Sequence, residues 1–121
     1  MGFGQHLIMD ISNCNINKLM DINLTYDFLL EVPKRLDMVT MTLPYVVKWL
    51  DKGSTMAGIS GFIMIAESHI SIHTYPIRKI LYADVFSCRG FNTKRIIELF
   101  LKTFEGTNCD KRVIKRGFFS S

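Results

Sequence analysis

The stretch from Ile59 to Phe86 constrains the fold most, because it carries three strand signals in close succession. Ile59 to Ala66 is almost wholly apolar, the pattern of a strand covered on both faces. Ile70 and Ile72 then alternate with His69, Ser71 and His73, which makes a second strand with one polar face. Ile80 to Phe86 reads as a third. Any architecture for this chain has to be built around that sheet.

The flanks add further strands and two helices. Gln5 to Ser12 alternates as a strand and runs into a polar turn at Asn13 to Asn15. Ile16, Leu19, Met20, Leu24, Phe28, Leu29 and Val32 fall at helical spacing and predict one helix from Asn15 to about Val32, which Pro33 should end or kink. Met38 to Leu43 reads as a strand that Pro44 pushes toward an edge or a bulge, and Asp51 to Gly58 as a turn region. Asn92 can cap a helix from Thr93 to Glu105, whose Ile96, Ile97, Phe100, Leu101 and Phe104 form one apolar stripe. Gly106 stops it, and Lys111 to Phe119 is a last strand. The fold class expected is α+β, a two-layer sandwich with a mainly antiparallel sheet and both helices on one face. The other face is left bare and partly apolar, and a second copy of the chain is the natural cover for it.

At 121 residues the chain is one domain, 1–121, long enough for one core and not for two. Its 48% hydrophobic and 21% charged residues exclude a disordered tail protein. No apolar run approaches the roughly 18 residues of a spanning helix, and the N-terminus lacks a signal peptide's basic lead-in, so no membrane partner and a cytoplasmic location are expected. Cys14, Cys88 and Cys109 are an odd number without a C-x-x-C pair, which argues against a disulfide framework and a zinc site. The net charge of +4 is densest at Lys111, Arg112, Lys115 and Arg116. Without interleaved aromatics these read as a charged edge strand, and no nucleic-acid partner is expected.

The densest polar cluster is Glu67-Ser68-His69-Ile70-Ser71-Ile72-His73-Thr74-Tyr75-Pro76. On a strand, His69 and His73 stand about 13 Å apart, too far to share one metal ion. Gly58-Ile59-Ser60-Gly61-Phe62 lacks the final glycine of a G-x-S-x-G nucleophile elbow. From the residue types alone, a solvent-facing strand with two incidental histidines remains open beside a catalytic one.

This cluster resembles the processing-site signature of the small prokaryotic S-adenosylmethionine decarboxylases. Three other segments resemble family features in the same order: Gly4 to Asp10 the opening strand, Gly58-Ile59-Ser60-Gly61 a glycine-flanked serine, and Asp84-Val85-Phe86-Ser87-Cys88 a cysteine segment. The resemblance implies a proenzyme that cuts itself between Glu67 and Ser68 into chains 1–67 and 68–121. Ser68 attacks the Glu67 carbonyl, the amide becomes an ester, and elimination leaves a pyruvoyl cofactor in place of Ser68. His73 is then the processing base, Ser60 supports the tetrahedral adduct, and Cys88 is the proton donor in turnover. In the family the pyruvoyl carbonyl forms a Schiff base with the substrate amine and draws electrons as carbon dioxide leaves. Family members assemble as dimers of the cleaved pair, with active sites near the subunit interface.

One position departs from the pattern. Ile77 stands where the family usually has a glutamate for the substrate's ribose hydroxyls. S-adenosylmethionine, en route to polyamines such as spermidine, is the first expectation. The alternatives are a scaffold turned to arginine or ornithine, or an unprocessed regulatory paralogue. Cys14 and Cys109 match nothing in the family and read as buried small hydrophobes. Phe3, Tyr45, Trp49 and Phe62 are candidates for stacking on substrate, although core packing explains any one of them better.

Overall fold

A computed structural model describes residues 4–50 and 57–117. Six strands form one sheet in the order β2-β3-β4-β5-β1-β6. They are β1 (Gly4–Ser12), β2 (Tyr45–Trp49), β3 (Gly58–Ile65), β4 (Ser68–Tyr75), β5 (Ile80–Ser87) and β6 (Asn108–Arg116). Every neighbouring pair is antiparallel. The helices are α1 (Ile16–Leu19), α2 (Ile22–Arg35) and α3 (Thr93–Phe104). The α+β sandwich expected from the sequence is the one observed, with a one-turn helix added to the two long ones.

Period-two alternation decides what faces the helices. Leu7, Met9 and Ile11 of β1, Ile63 and Ile65 of β3, Ile70 and Ile72 of β4, and Leu81, Ala83 and Val85 of β5 share one buried cluster with Leu29 and Val32 of α2 and Ile96 of α3. Phe28 of α2 packs edge-on against Phe100 and Phe104 of α3, with ring centroids 4.7 and 5.3 Å apart. Both long helices therefore cover the same face. Among the described residues the opposite face has no helix on it, and it exposes Phe62, Met64 and Tyr82.

The single helix read from Asn15 to Val32 is two. The Asn15 side chain accepts from the Asn17 and Lys18 N–H groups, and the Asp21 carboxylate from Leu24 N–H, so a second N-cap starts a second helix six residues after the first. The apolar spacing is continuous across the break and hides it. Pro33 does not end α2, which runs two residues further to Arg35. Glu105, at φ 55°, ends α3 in the left-handed conformation, and Gly106 follows because a Cβ there would lie 2.5 Å from Ile11 Cγ2.

The edge strand is displaced from its expected place. Met38 to Leu43 contributes one bridge, Thr40 to Ile65, and β2 begins only after Pro44. Met41 N–H still bonds the Met64 carbonyl at 3.0 Å, while Tyr45 already pairs with Phe62. Residues 42–44 thus bulge out beside β3, and Pro44, which cannot donate to a ladder, sits in that bulge. The last strand starts at Asn108, earlier than Lys111, and ends at Arg116. Most of the Asp51 to Gly58 turn, Phe3, and residues 118–119 lie outside the described residues.

β6 is the charged edge strand expected. Register puts Arg112 opposite Ile8 on the open face and Lys111 opposite Met9 on the helix face, so the basic residues split between two sides. Among the described residues no helix is long and apolar enough to cross a membrane.

Candidate active site

β3 and β4 are joined by Ala66 and Glu67 alone. Two-residue hairpins favour glycine or asparagine where φ is positive, yet here Glu67 takes φ 62°. A side chain in the left-handed region costs on the order of 1–2 kcal/mol, so the surroundings must hold it. They do so from both sides. Ala66 N–H donates to the Val39 carbonyl at 2.9 Å, and Cys88 N–H donates to the Glu67 carbonyl at 3.1 Å. Ser68, the next residue, is only 7% exposed and pairs in register with Ser87 of β5. Met38, Glu67, Ser68, Ser87, Cys88 and Arg89 line one hollow at this end of the sheet.

A second group stands on the open face. Ser60 of β3 is opposite His73 of β4, and its hydroxyl lies 2.9 Å from His73 Nδ1. Tyr75 and Tyr82 pack beside them with ring centroids 5.2 Å apart, and Trp49 meets Tyr75 at 6.4 Å. Beneath, the buried Thr74 hydroxyl donates to the Leu19 carbonyl and accepts from Ile59 N–H, both at 2.9 Å. Gly58 is required there, because a Cβ would sit 2.0 Å from the Thr74 carbonyl oxygen. This anchor fixes the strand end that presents His73.

The structure therefore brings Ser68 together with Cys88, and Ser60 with His73, but keeps the two pairs apart within one chain. Ser68 and His73 are five residues apart on one strand, about 16 Å, and an odd separation points them to opposite faces. That signal was already present in the spacing. Ile77, 63% exposed, follows β4 in a 3₁₀ turn at the His73 end and lines an apolar cleft with Met20, Leu50 and Pro76. Tyr45 and Phe62 are 61% and 44% exposed and meet at 5.9 Å with tilted rings on the open face, so packing in the core does not account for them.

Sequence reasoning missed the neighbours of these pairs. Ser87 is 1% exposed beside Ser68, and Arg89 donates through Nη2 to the Asp37 carbonyl at 3.2 Å. Ser87 had one signal: it precedes Cys88 at the end of an alternating strand. On the open face His69 packs against Phe86 and His6, at 5.5 and 6.3 Å, and the Arg116 guanidinium lies 4.8 Å from the Phe86 centroid. Burial, then the nearby His6, holds the His69 imidazole below its ordinary value. Cys14 is buried and its thiol is pushed up to about 11. Cys109 is only half-buried on the edge strand, and burial raises its thiol too.

The model of the S-adenosylmethionine decarboxylase family matches residues 5–117. The chain belongs to that family. Its members are pyruvoyl-dependent decarboxylases. A Pyrococcus horikoshii protein described as S-adenosylmethionine decarboxylase proenzyme is 31% identical over 94% of this chain and 78% of its own length. A Hydrogenobaculum protein of the same description is 34% identical over 94% of the chain and 81% of its own. The crystal structure of the adenosylmethionine decarboxylase from Aquifex aeolicus superposes with a TM-score of 0.81, at 22% identity, over 98% of this chain and 94% of that one. In this member of the S-adenosylmethionine decarboxylase family, Glu67 ends the β3–β4 turn, Ser68 to Tyr75 form β4, and Asp84 to Ser87 close β5 with Cys88 just beyond it.

Proposed function

We propose that the chain is a self-processing decarboxylase of S-adenosylmethionine, cut between Glu67 and Ser68, whose product is the aminopropyl donor for polyamine synthesis. The observation that carries this reading is the Glu67–Ser68 turn: a strained left-handed residue, its carbonyl held by the Cys88 N–H, followed by a buried serine. These residues fit formation of the pyruvoyl group, because hydroxyl, scissile carbonyl and a hydrogen-bond donor meet at one bond. That group supplies a carbonyl electron sink for loss of carbon dioxide. Cys88, which lines the Ser68 hollow, returns a proton to the substrate α-carbon.

His73 cannot serve its own Ser68 across about 16 Å and the thickness of a sheet. We assign the Ser60–His73 pair to the Ser68 of a second copy. The open sheet face, with Phe62, Met64, Tyr82 and Val47 exposed, is the surface the two copies cover. His73 is then the processing base in trans and Ser60 its support.

Two measurements test the reading. Intact mass should show chains 1–67 and 68–121; a chain that stays whole is the regulatory paralogue instead. Carbon dioxide release, assayed side by side, should give S-adenosylmethionine a kcat/KM at least about tenfold above arginine and ornithine, a difference of about 1.4 kcal/mol. The reverse ratio removes the substrate assignment and leaves the self-cleavage standing.

A further inference from the structure

The hydrogen bond from Cys88 N–H to the Glu67 carbonyl is the last rung between β4 and β5, one residue beyond the Ser68–Ser87 pair. It therefore depends on how the chain leaves β5. Three contacts set that course. The buried Ser87 hydroxyl accepts from Arg89 N–H at 3.2 Å, which folds the backbone around Cys88. The Arg89 guanidinium reaches across to the Asp37 carbonyl at 3.2 Å and ties the bend to the segment after α2. Met38 N–H in turn bonds the Pro33 carbonyl at 2.9 Å, so that segment is itself anchored to the helix. Cys88 is exposed, as are Arg89 and Gly90, and without these contacts its N–H would be free to leave the ladder.

We propose that Ser87 and Arg89 are positioning residues for self-cleavage: they hold the Cys88 N–H on the Glu67 carbonyl, where it acts as the oxyanion donor. This deepens, and rests on, the reading that the chain cuts itself at Ser68. In the first step Ser68 Oγ bonds to the Glu67 carbonyl carbon and its proton passes to the base. The carbonyl π pair moves onto the oxygen that already faces Cys88 N–H. The C–N bond then breaks, the Ser68 nitrogen takes the proton back, and an ester remains. The donor is aimed before the charge develops, which is the condition under which such a contact lowers the barrier.

The test is a time course of chain cleavage during cell-free synthesis, followed by intact mass, in full-length wild type, Ser87→Ala, Ser87→Thr and Arg89→Ala. A misaimed donor should slow cleavage between about 10- and 100-fold in Ser87→Ala. Threonine keeps the hydroxyl and should restore the rate, and Arg89→Ala should slow it as well. In a Ser68→Ala background, which stays whole, adding Ser87→Ala should leave the Tm within a few degrees, separating aim from loss of fold. Hydroxylamine cuts an ester, so it should not speed Ser87→Ala if the slowed step is the one before the ester. Cleavage of both alanine variants at the wild-type rate, or rapid hydroxylamine cleavage of Ser87→Ala, overturns the inference and leaves self-cleavage intact. A wild-type chain that never cuts overturns both.

Discussion

Mixing two inactive variants separates cleavage in trans from cleavage within one chain. In the proposed mechanism Ser68→Ala keeps Ser60 and His73 but has no nucleophile, and His73→Ala keeps Ser68 and Cys88 but has no base. The two pairs lie about 16 Å apart and on opposite faces of the sheet, whereas general base catalysis needs hydrogen-bond reach of about 3 Å. No rotamer closes that gap, so neither variant alone should cut. In a dimer formed at random from equal amounts, about half of the His73→Ala chains are paired with a Ser68→Ala partner that supplies the base. Up to about half of the His73→Ala chains should therefore be cut, and none of the Ser68→Ala chains. The assay is co-expression with distinguishable tags, then intact mass of each chain. If His73→Ala cuts itself when alone, or if the mixture stays whole while forming dimers, the placement of the base in trans is wrong.

Four further outcomes follow from the same geometry. Cys88→Ala should still be cut yet lose decarboxylation by about 10²–10⁴-fold, read by product formation per cut chain; normal turnover would remove the thiol as proton donor. Thr74→Val leaves the Leu19 carbonyl and the Ile59 N–H without their buried partner, and should cost about 2–4 kcal/mol, seen as a lower Tm. His69 is held below its ordinary value of 6.5, so the fold favours its neutral form; the stability it contributes is present above about pH 6.5 and lost as pH falls through the lower folded value. Urea midpoints at pH 7.5 and 5.5 should accordingly fall less in His69→Gln than in wild type. Ile77→Glu should at most improve the KM for S-adenosylmethionine, and a loss of that substrate would place the cleft beside Ile77 in a different pocket.

Much of the sheet was readable because period-two alternation carries both the element and its buried face. β4 is the clearest case: Ile70 and Ile72 face the helices, and His69, Ser71 and His73 do not. The same rule already separated Ser68 from His73, since five residues is an odd step. The grouping of Glu67, Ser68 and Cys88 was signalled only by family likeness, because residues at opposite ends of a hairpin meet through register and not through spacing. The break at Asp21 was hidden because a carboxylate cap leaves the apolar spacing around it unchanged. The shift of the edge strand to Tyr45 was hidden because Pro44 excludes itself from a ladder without saying on which side pairing resumes.

Local period and residue type were enough for the strand block, the α+β class and the helix-facing residues of β1 and β4, but not for β3, whose apolar run suggested two covered faces while Phe62 and Met64 are exposed. Two features of the site needed the folded chain. Glu67 takes a left-handed φ of 62° because Val39 and Cys88 grip the turn from both sides. Ser60 meets His73 at 2.9 Å because β3 and β4 pair in one register out of several that the pattern allows. Both long helices fall on one face, as the sequence led one to expect, with Phe28 packed against Phe100 and Phe104, and the face they leave open carries His73.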